Sequence, residues 1–452
     1  MKVFTFVAAI LSLGMVGVAA AQSSMPDAPK TSLADGSSSS AHLGSVAPSL
    51  AMGGDLTSRN LLVFGVSTGA SYDTLGLYNS TTGKFSGDDR YFVQPSIAYQ
   101  RTAAQGSFTL SYTPGFSYSP EDQNNDQYTQ NAAVDFSYRP NYRWLIHGRQ
   151  DYSRTDNPFE TVGRVDLLPG LGGALGTGYN GVVPDTRRTD LVSNFDMTYA
   201  VGEHTALGFT GGYQKSQYDS TQSSSASFSY ENSQSMNGSF FLSHQLSQQL
   251  TFGVQATYAD YYTTGLERTR VQAPAPLLFI KVLPNPHMEL TLYAGPQEAR
   301  LHESYTSGGV TVTEPLRTNW YPNLGATLTV SRQRQAFSLN ADERVSNGGG
   351  VLSAVRNVNA SAGYRLRMMQ HLTGEARVAF TNQKAIGTYS EGDYLRSVWA
   401  GGGPSVELTH FLNLHCEVAY VHQEEHGLSP VAGNHLLVQG SLDFRFKKNL
   451  GD

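Results

Sequence analysis

The feature that most constrains this chain is a two-residue alternation of apolar and polar side chains that recurs from about residue 60 to the end. The segments 108–113, 250–259 and 324–331 show it, with an apolar residue at every second position. A period of two places successive side chains on opposite faces of a β-strand. We therefore predict an all-β fold whose strands each have one apolar and one mostly polar face. The last strand shows the alternation best, with Leu436, Val438, Gly440, Leu442, Phe444 and Phe446 on the apolar face.

The connectors between these segments alternate between short and long. Residues 139–141, 201–204 and 369–371 are tight turns, whereas 155–187 and 301–315 are long. A soluble sandwich could also bury each apolar face, but short turns at one end and long loops at the other are typical of membrane-spanning barrels. The sequence thus predicts a closed transmembrane antiparallel β-barrel of about 18 strands (roughly 16–18). The segment 270–283 is the least regular strand, because residues 277–280 are apolar without interruption.

Composition agrees with strands and turns rather than helices. The chain holds 25 Tyr, 21 Phe and 46 Gly, and only 15% of its residues are charged. A formal net charge of -6 argues against a nucleic-acid partner, which requires a basic face. The single Cys416 cannot form an internal disulfide. Stability must therefore come from the strand ladder itself.

The N-terminus has the layout of a secretory signal peptide. Lys2 precedes an apolar run over residues 3–18, and small residues end it at Ala19 and Ala21. We expect cleavage after Ala21, which makes residues 1–21 the signal peptide. Residues 22–58 are rich in Ser, Ala, Gly and Pro, so they are predicted to form a disordered tail in the periplasm. Residues 59–452 are assigned to the barrel.

These features together resemble the porin-like outer-membrane β-barrels of Gram-negative bacteria. The likeness covers roughly residues 59–446, and it is one of architecture without a specific family motif. It implies a location in the bacterial outer membrane, contact with lipid, and insertion by the barrel-assembly machinery, which reads the last strand. Phe444 and Phe446 are the assembly-signal candidates, although six residues follow Phe446. Such barrels are often trimers, so the resemblance leaves a homo-oligomer open.

The polar faces of the strands predict a lumen wall, since a charge facing lipid at the midplane would cost about 2–4 kcal/mol. Half-buried rings at strand ends predict an aromatic girdle, while cross-strand packing accounts for a minority of them. The lumen-lining candidates are Arg143, His147, Arg149, Asp151, Asn340, Asp342, Arg344, Arg365, Arg367, Glu375 and Arg377, and the girdle candidates are Tyr138, Tyr142, Trp144, Tyr258 and Tyr262. The lumen charges either set ion preference or pair across strands and solvate the wall.

Three patterns match enzyme signatures but lack the context that each requires. Residues 65–69 spell G-x-S-x-G inside a predicted strand, whereas a nucleophile elbow needs a strand-to-helix turn. Residues 176–181 spell G-x-G-x-x-G with no strand before or helix after them. Residues 422–426 spell H-x-x-E-H at a strand end rather than on a helix, which leaves surface metal binding open. We predict no enzyme, no catalytic residue, no metal and no cofactor.

The expected function is a channel through which small polar solutes or ions diffuse passively. An export conduit for polysaccharide or another anionic polymer is one alternative, and a structural or adhesive barrel without an open pore is another. The apolar and glycine-rich residues 167–183 could fold inward as a constriction loop. A TonB-dependent transporter is disfavoured, because residues 22–58 are too few and too polar for a plug domain.

Overall fold

The computed structural model describes residues 60–79, 84–103, 105–120, 127–155, 188–218, 232–264, 267–307, 310–348, 352–387, 393–426 and 433–450. The predicted signal peptide, the tail, the G-x-G-x-x-G motif and the proposed constriction loop at 167–183 lie outside these residues. Over the described part, no helix is long and apolar enough to cross a bilayer.

The described residues form nineteen strands. They are β1 (Asn60–Asn79), β2 (Lys84–Ala103), β3 (Gly106–Tyr118), β4 (Gln127–Tyr138), β5 (Trp144–Thr155), β6 (Arg188–Ala200), β7 (Thr205–Tyr218), β8 (Asn232–Ser247), β9 (Leu250–Thr264), β10 (Glu267–Asn285), β11 (Met288–Ser307), β12 (Val310–Thr313), β13 (Arg317–Ser331), β14 (Gln335–Gly348), β15 (Leu352–Met369), β16 (Leu372–Ala385), β17 (Tyr394–Thr409), β18 (Leu412–His426) and β19 (Gly433–Asn449).

Eighteen of these strands close into one antiparallel barrel. Each pairs with its neighbours along the chain, and β19 pairs back onto β1 with Phe64 opposite Phe446. The short β12 lies outside this order and pairs with the loop end of β11, where Thr313 is opposite Ser304. The predicted closed barrel of about 18 strands is confirmed. A barrel of this size has room for a lumen.

The alternation in sequence becomes an alternation between two faces of the wall. On β1, Phe64 and Val66 are exposed, whereas Val63 and Ser67 on either side of them are buried. In a closed sheet the buried face is the inside, so the apolar set points outward and the polar set points into the lumen. An apolar outer surface on a barrel without free edges suits hydrocarbon, where each backbone group must be paired within the protein. The chain is thus a transmembrane barrel of the bacterial outer-membrane type.

The two ends of the barrel differ in their connections. Tight turns join β4 to β5, β6 to β7, and β15 to β16, and the first and last strands begin and end at the same side, where Leu450 N donates to Asn60 O. We call this side the turn end and the opposite side the loop end. In bacterial barrels the short turns face the periplasm and the long loops face outward.

A row of prolines crosses three adjacent strands on the outer face. The register of Gln272 with Arg300, when continued, puts Pro276 of β10 opposite Pro296 of β11, and Pro296 is directly opposite Pro322 of β13. Proline has no backbone N–H, so a strand ladder loses a donor at each such position. The prolines therefore weaken the wall along one line that ends at the border between β13 and β14.

Candidate functional site: the wall of the lumen

The structure shows where the side chains proposed from sequence to line the lumen lie. Strand parity points most of them inward: His147, Arg149 and Asp151 on β5, Asn340, Asp342 and Arg344 on β14, Arg365 and Arg367 on β15, and Glu375 and Arg377 on β16. Arg367 is exposed at the rim of the turn end, where it donates to Gln370 O over 3.0 Å. The set is thus divided between two patches of wall, β5 and β14–β16.

Arg143 lies elsewhere than expected. It belongs to the tight turn before β5 rather than to a strand, and its side chain is exposed. Its Nε donates to the hydroxyl of Tyr142 over 3.0 Å. Hydrogen bonding to Tyr199 and to Tyr142 raises the pKa of Arg143 above its ordinary value, so this guanidinium stays charged at the turn end. Parity extrapolated from β5 did not detect that the strand starts at Trp144.

On β5 the polar wall is built from linked charges. His147 lies between two carboxylates of the neighbouring strands, with Nε2 3.2 Å from Asp135 and Nδ1 3.4 Å from Asp196. Arg149 forms a two-pronged ion pair with Asp151 at 2.7 and 2.9 Å. Arg149 and Asp151 keep 27% and 30% of their side-chain surface exposed. This patch is therefore wet enough to interact with a solute.

A second charged patch lies on β15 and β16. Arg365 pairs across the strands with Glu375, and Arg377 lies 3.5 Å from the same carboxylate. On β14, Asp342 pairs with Arg344 at 3.4 Å, and Asn340 contacts Thr327 Oγ1 at 2.9 Å. Each of the inward arginines named here has a carboxylate within ion-pair distance.

Several carboxylates and cations of the wall were missed in the sequence. They follow the same parity as the residues that were chosen, so extending the alternation to every strand could have found them. Among the described inward residues they include Asp135, Asp196, Lys281, Glu289, Glu417, Asp443 and Arg445. Their addition changes the picture from an arginine-rich wall to one of mixed and locally paired charge.

The loop end of the lumen contains an element that the sequence did not predict. The pairing of β13 with β14 stops at Leu324 opposite Glu343, although both strands continue. Beyond that point residues 344–348 of β14 stay paired with residues 352–357 of β15. We call these two segments the inner hairpin.

The inner hairpin is buried on both of its faces, unlike the wall. Val345 continues the outward parity of Glu343, yet it is 0% exposed, and its neighbour Ser346 is also buried. Ala354 and Val355 are likewise consecutive and buried. A strand in the wall would show one of each such pair to lipid. The hairpin has therefore left the wall and turned into the lumen.

One face of the hairpin packs on the far inner wall. Val345 and Ala354 form an apolar cluster with inward residues of three strands, and Tyr321 and Ile386 pack against it. We call this set the apolar cluster, and its wall members are Ala259 and Tyr261 of β9, Val271 and Ala273 of β10, and Ala299 and Leu301 of β11. On the opposite face, Leu352 and Val355 pack with Ala385 and Leu395. The contact thus reaches across the lumen from β15–β17 to β9–β11.

Wall side chains replace the strand partner that Val345 gives up. Val345 N donates to Gln297 Oε1 over 2.8 Å, and Tyr261 Oη donates to Val345 O over 3.2 Å. A buried peptide group without a hydrogen bond is costly, so these two side chains stabilise the inward position. Continued register would place Val345 opposite Pro322, which has no N–H to offer.

The outward aromatic and terminal residues lie on the lipid-facing side. Tyr138 and Tyr258 are exposed, and the ring of Trp144 contacts that of Tyr199, its cross-strand partner, with centroids 4.6 Å apart. Tyr142 lies in the turn, and Tyr262 is directly opposite Arg270. Phe444 and Phe446 both point outward on β19, and Phe446 stacks on Phe411 with centroids 6.2 Å apart.

The enzyme-like motifs have no catalytic geometry where they are described. Ser67 is buried within β1 and not on a turn into a helix. His422 and His426 share the outer face of β18, while Glu425 points to the other face, and His422 Nδ1 contacts Asn434 at 2.7 Å. Within the described ranges, no group of three or more His, Cys, Asp or Glu side chains could hold a metal ion.

Comparison with known proteins gives likeness of fold only. No protein-family model and no curated protein matches the chain. Among solved structures, the ferric-catecholate import receptor Fiu of E. coli K12 has a TM-score of 0.40 at 10% identity, over 83% of this chain and 67% of that one. OccAB4 of Acinetobacter baumannii has a TM-score of 0.39 at 9% identity, over 87% and 100%. The outer-membrane protein OpdK of Pseudomonas aeruginosa has a TM-score of 0.41 at 8% identity, over 86% and 99%.

Proposed function

We propose that this barrel is an outer-membrane channel that admits small polar solutes or ions by passive diffusion. The observation that carries the proposal is the wet, charged inner wall from the turn end to the middle of the barrel, of which Arg149 and Asp151, midway along β5, are the best example. Charged side chains that remain partly exposed inside a closed barrel require water in that part of the lumen. Polar solutes that enter this water exchange one set of hydrogen bonds for another.

The pairing of charges suggests weak rather than strong ion preference. Arg149, Arg365 and Arg377 each lie beside a carboxylate. An anionic polymer would need unbalanced cations along its path, which this paired wall does not favour. The inner hairpin narrows the loop end, so we expect a channel for small solutes rather than for long chains.

Planar-bilayer recording of the refolded full-length protein tests the proposal. Stable conductance steps with nearly equal permeability to potassium and chloride are expected. Block of the current by an anionic oligosaccharide would favour the export conduit instead. A folded, inserted protein that carries no current would refute the channel and favour a structural barrel.

A further inference from the structure

The border between β13 and β14 is a discontinuity in the barrel wall. β13 stays paired with β11 up to Arg317 opposite Leu301, but its paired register with β14 ends at Leu324. The paired part of β13, residues 324–331, contains eight residues, close to the roughly 9–11 that cross the hydrocarbon. The discontinuity therefore begins near the outer membrane interface, where Trp320 is exposed and where irregular backbone can meet water.

Residues 318–323 of β13 form a strand edge that fits the strand now folded inward. Extending the register from Leu324 and Glu343 would place Asn323 opposite Arg344, Pro322 opposite Val345, and Tyr321 opposite Ser346. Residues 344–346 of β14 thus have two alternative packing partners. One is the apolar cluster inside the lumen, and the other is the edge of β13.

We propose that the inner hairpin is a gate with two positions, which rests on the proposed channel function and names its control element. In the closed position, described above, the hairpin is docked on the apolar cluster and narrows the lumen. In the open position, residues 344–346 pair with β13. This pairing completes the wall and removes the hairpin from the loop end of the lumen. Two discrete packings of one element are the usual basis of a structural switch.

The hairpin can move as one piece. Arg356 of β15 is bonded to Glu343, the last β14 residue of the ladder, with Nη2 2.5 Å and Nε 2.6 Å from Oε1. The two arms, residues 344–348 and 352–357, also stay paired with each other. The pivot is therefore next to Glu343, at the point where the ladder with β13 stops.

Pro322 biases the gate toward the closed position. When β14 pairs with β13 in the open position, Val345 is opposite Pro322, which has no N–H, so the open ladder lacks one hydrogen-bond donor. In the closed position Gln297 and Tyr261 satisfy both backbone groups of Val345. The balance between the two positions is thus set by a few identifiable hydrogen bonds and by apolar contact.

The first experiment changes only the missing donor. Pro322→Ala supplies an N–H to the open ladder. We expect the ratio of time spent in the open level to time spent in the closed level, recorded in planar bilayers, to rise roughly fivefold, which is the effect of about one net hydrogen bond. Pro296→Ala is the matched control, because it adds an N–H on β11, which is not adjacent to β14. Gln297→Leu with Tyr261→Phe removes the two bonds of the closed position and should raise the same ratio.

The second experiment traps the open position without relying on current. The variant carries Tyr321→Cys and Ser346→Cys in a Cys416→Ser background. These two positions are not opposite each other in the closed position, but they become cross-strand partners in the open ladder. Oxidation should yield a disulfide, more rapidly with Pro322→Ala. The pair Thr329→Cys and Ser338→Cys, already opposite in the ladder, is the positive control.

The outcomes separate the gate from the channel. The gate would be overturned if the control disulfide forms, no disulfide forms between positions 321 and 346, and the current of Pro322→Ala is unchanged. The hairpin would then be a fixed constriction. If no variant conducts but the disulfide between positions 321 and 346 forms, the movement of the hairpin is supported and the proposed channel function fails.

Discussion

The turn end of the lumen and the β9–β11 side of its loop end are built on opposite principles. Toward the turn end the inner wall carries ion pairs, such as Arg365 with Glu375, in which the Arg365 side chain keeps 39% of its surface exposed. At the loop end the inner wall of β9–β11 is apolar, and Val271, Ala273 and Leu301 are at most 1% exposed. The first arrangement needs water in the lumen, and the second excludes it. One tube therefore combines a solvated vestibule with a packed constriction.

Strand parity produces both ends, and only the residue choice differs. The inward positions of β10 read Val271, Ala273, Ala275, Leu277 and Phe279, so this strand is apolar on both faces for much of its length. An inner face of this kind is stable only when something apolar covers it. The inner hairpin supplies Val345 and Ala354 for that purpose. The turn end needs no cover because its side chains are solvated.

The largest effect is expected from placing a charge in the packed end. Val345→Asp would bury an unpaired carboxylate in the apolar cluster, at a cost of about 3–5 kcal/mol, so the hairpin should leave the cluster. We expect a several-fold rise in channel conductance, while heat-modifiable gel mobility, which reports the folded barrel, remains. Ser338→Asp is the control, because it adds the same charge at an inward, partly exposed position of β14 near the turn end.

Equal conductance in the two variants would mean that the cluster does not hold the hairpin. A loss of the folded gel mobility in Val345→Asp alone would show instead that the hairpin is needed for the barrel to close.

The comparison also explains how far the sequence could lead. Period two and alternating turn lengths predicted the closed barrel of about 18 strands, because every wall strand must show lipid an apolar face. The strands β3 at residues 106–118 and β13 at 317–331 contain the periodic segments 108–113 and 324–331. The four-residue β12 lies within the predicted loop 301–315. Four residues contain only two repeats of the alternation, which is too few to predict a strand.

The inner hairpin could not be derived from periodicity. Residues 344–346 and 354–357 continue the strands on either side of an Asn-Gly-Gly-Gly sequence, and nothing local shows that these strands leave the wall. The available signals were Pro322, which can end a ladder, and Val271 and Ala273, which make an apolar inner face that needs cover. Both depend on which strands are neighbours. Pairwise register, and not the pattern of one strand, decides where such an element forms.

A smaller effect is expected from reversing charge in the solvated end. Arg365→Glu places a second carboxylate beside Glu375, and Arg149→Glu does the same beside Asp151. Each should move permeability toward cations by about fivefold, which corresponds to roughly 1 kcal/mol for unit charges 4 Å apart in water. The reversal potential in a potassium chloride gradient measures it. Arg396→Glu, outward on β17 and paired with Glu424, should leave the reversal potential unchanged.

The smallest effect, and the one that best separates the two ends, is the response of these variants to salt. The screening length falls from about 10 Å at 0.1 M to about 3 Å at 1 M salt, so the selectivity change of Arg365→Glu should fade toward the parent value. The conductance gain of Val345→Asp should persist as a ratio, because the docking of Val345 on Ala299 and Leu301 is apolar contact that salt does not screen. Recording both variants at the two concentrations compares the ends in one measurement. A Val345→Asp gain that vanished with salt would place electrostatics, rather than apolar packing, in control of the loop end.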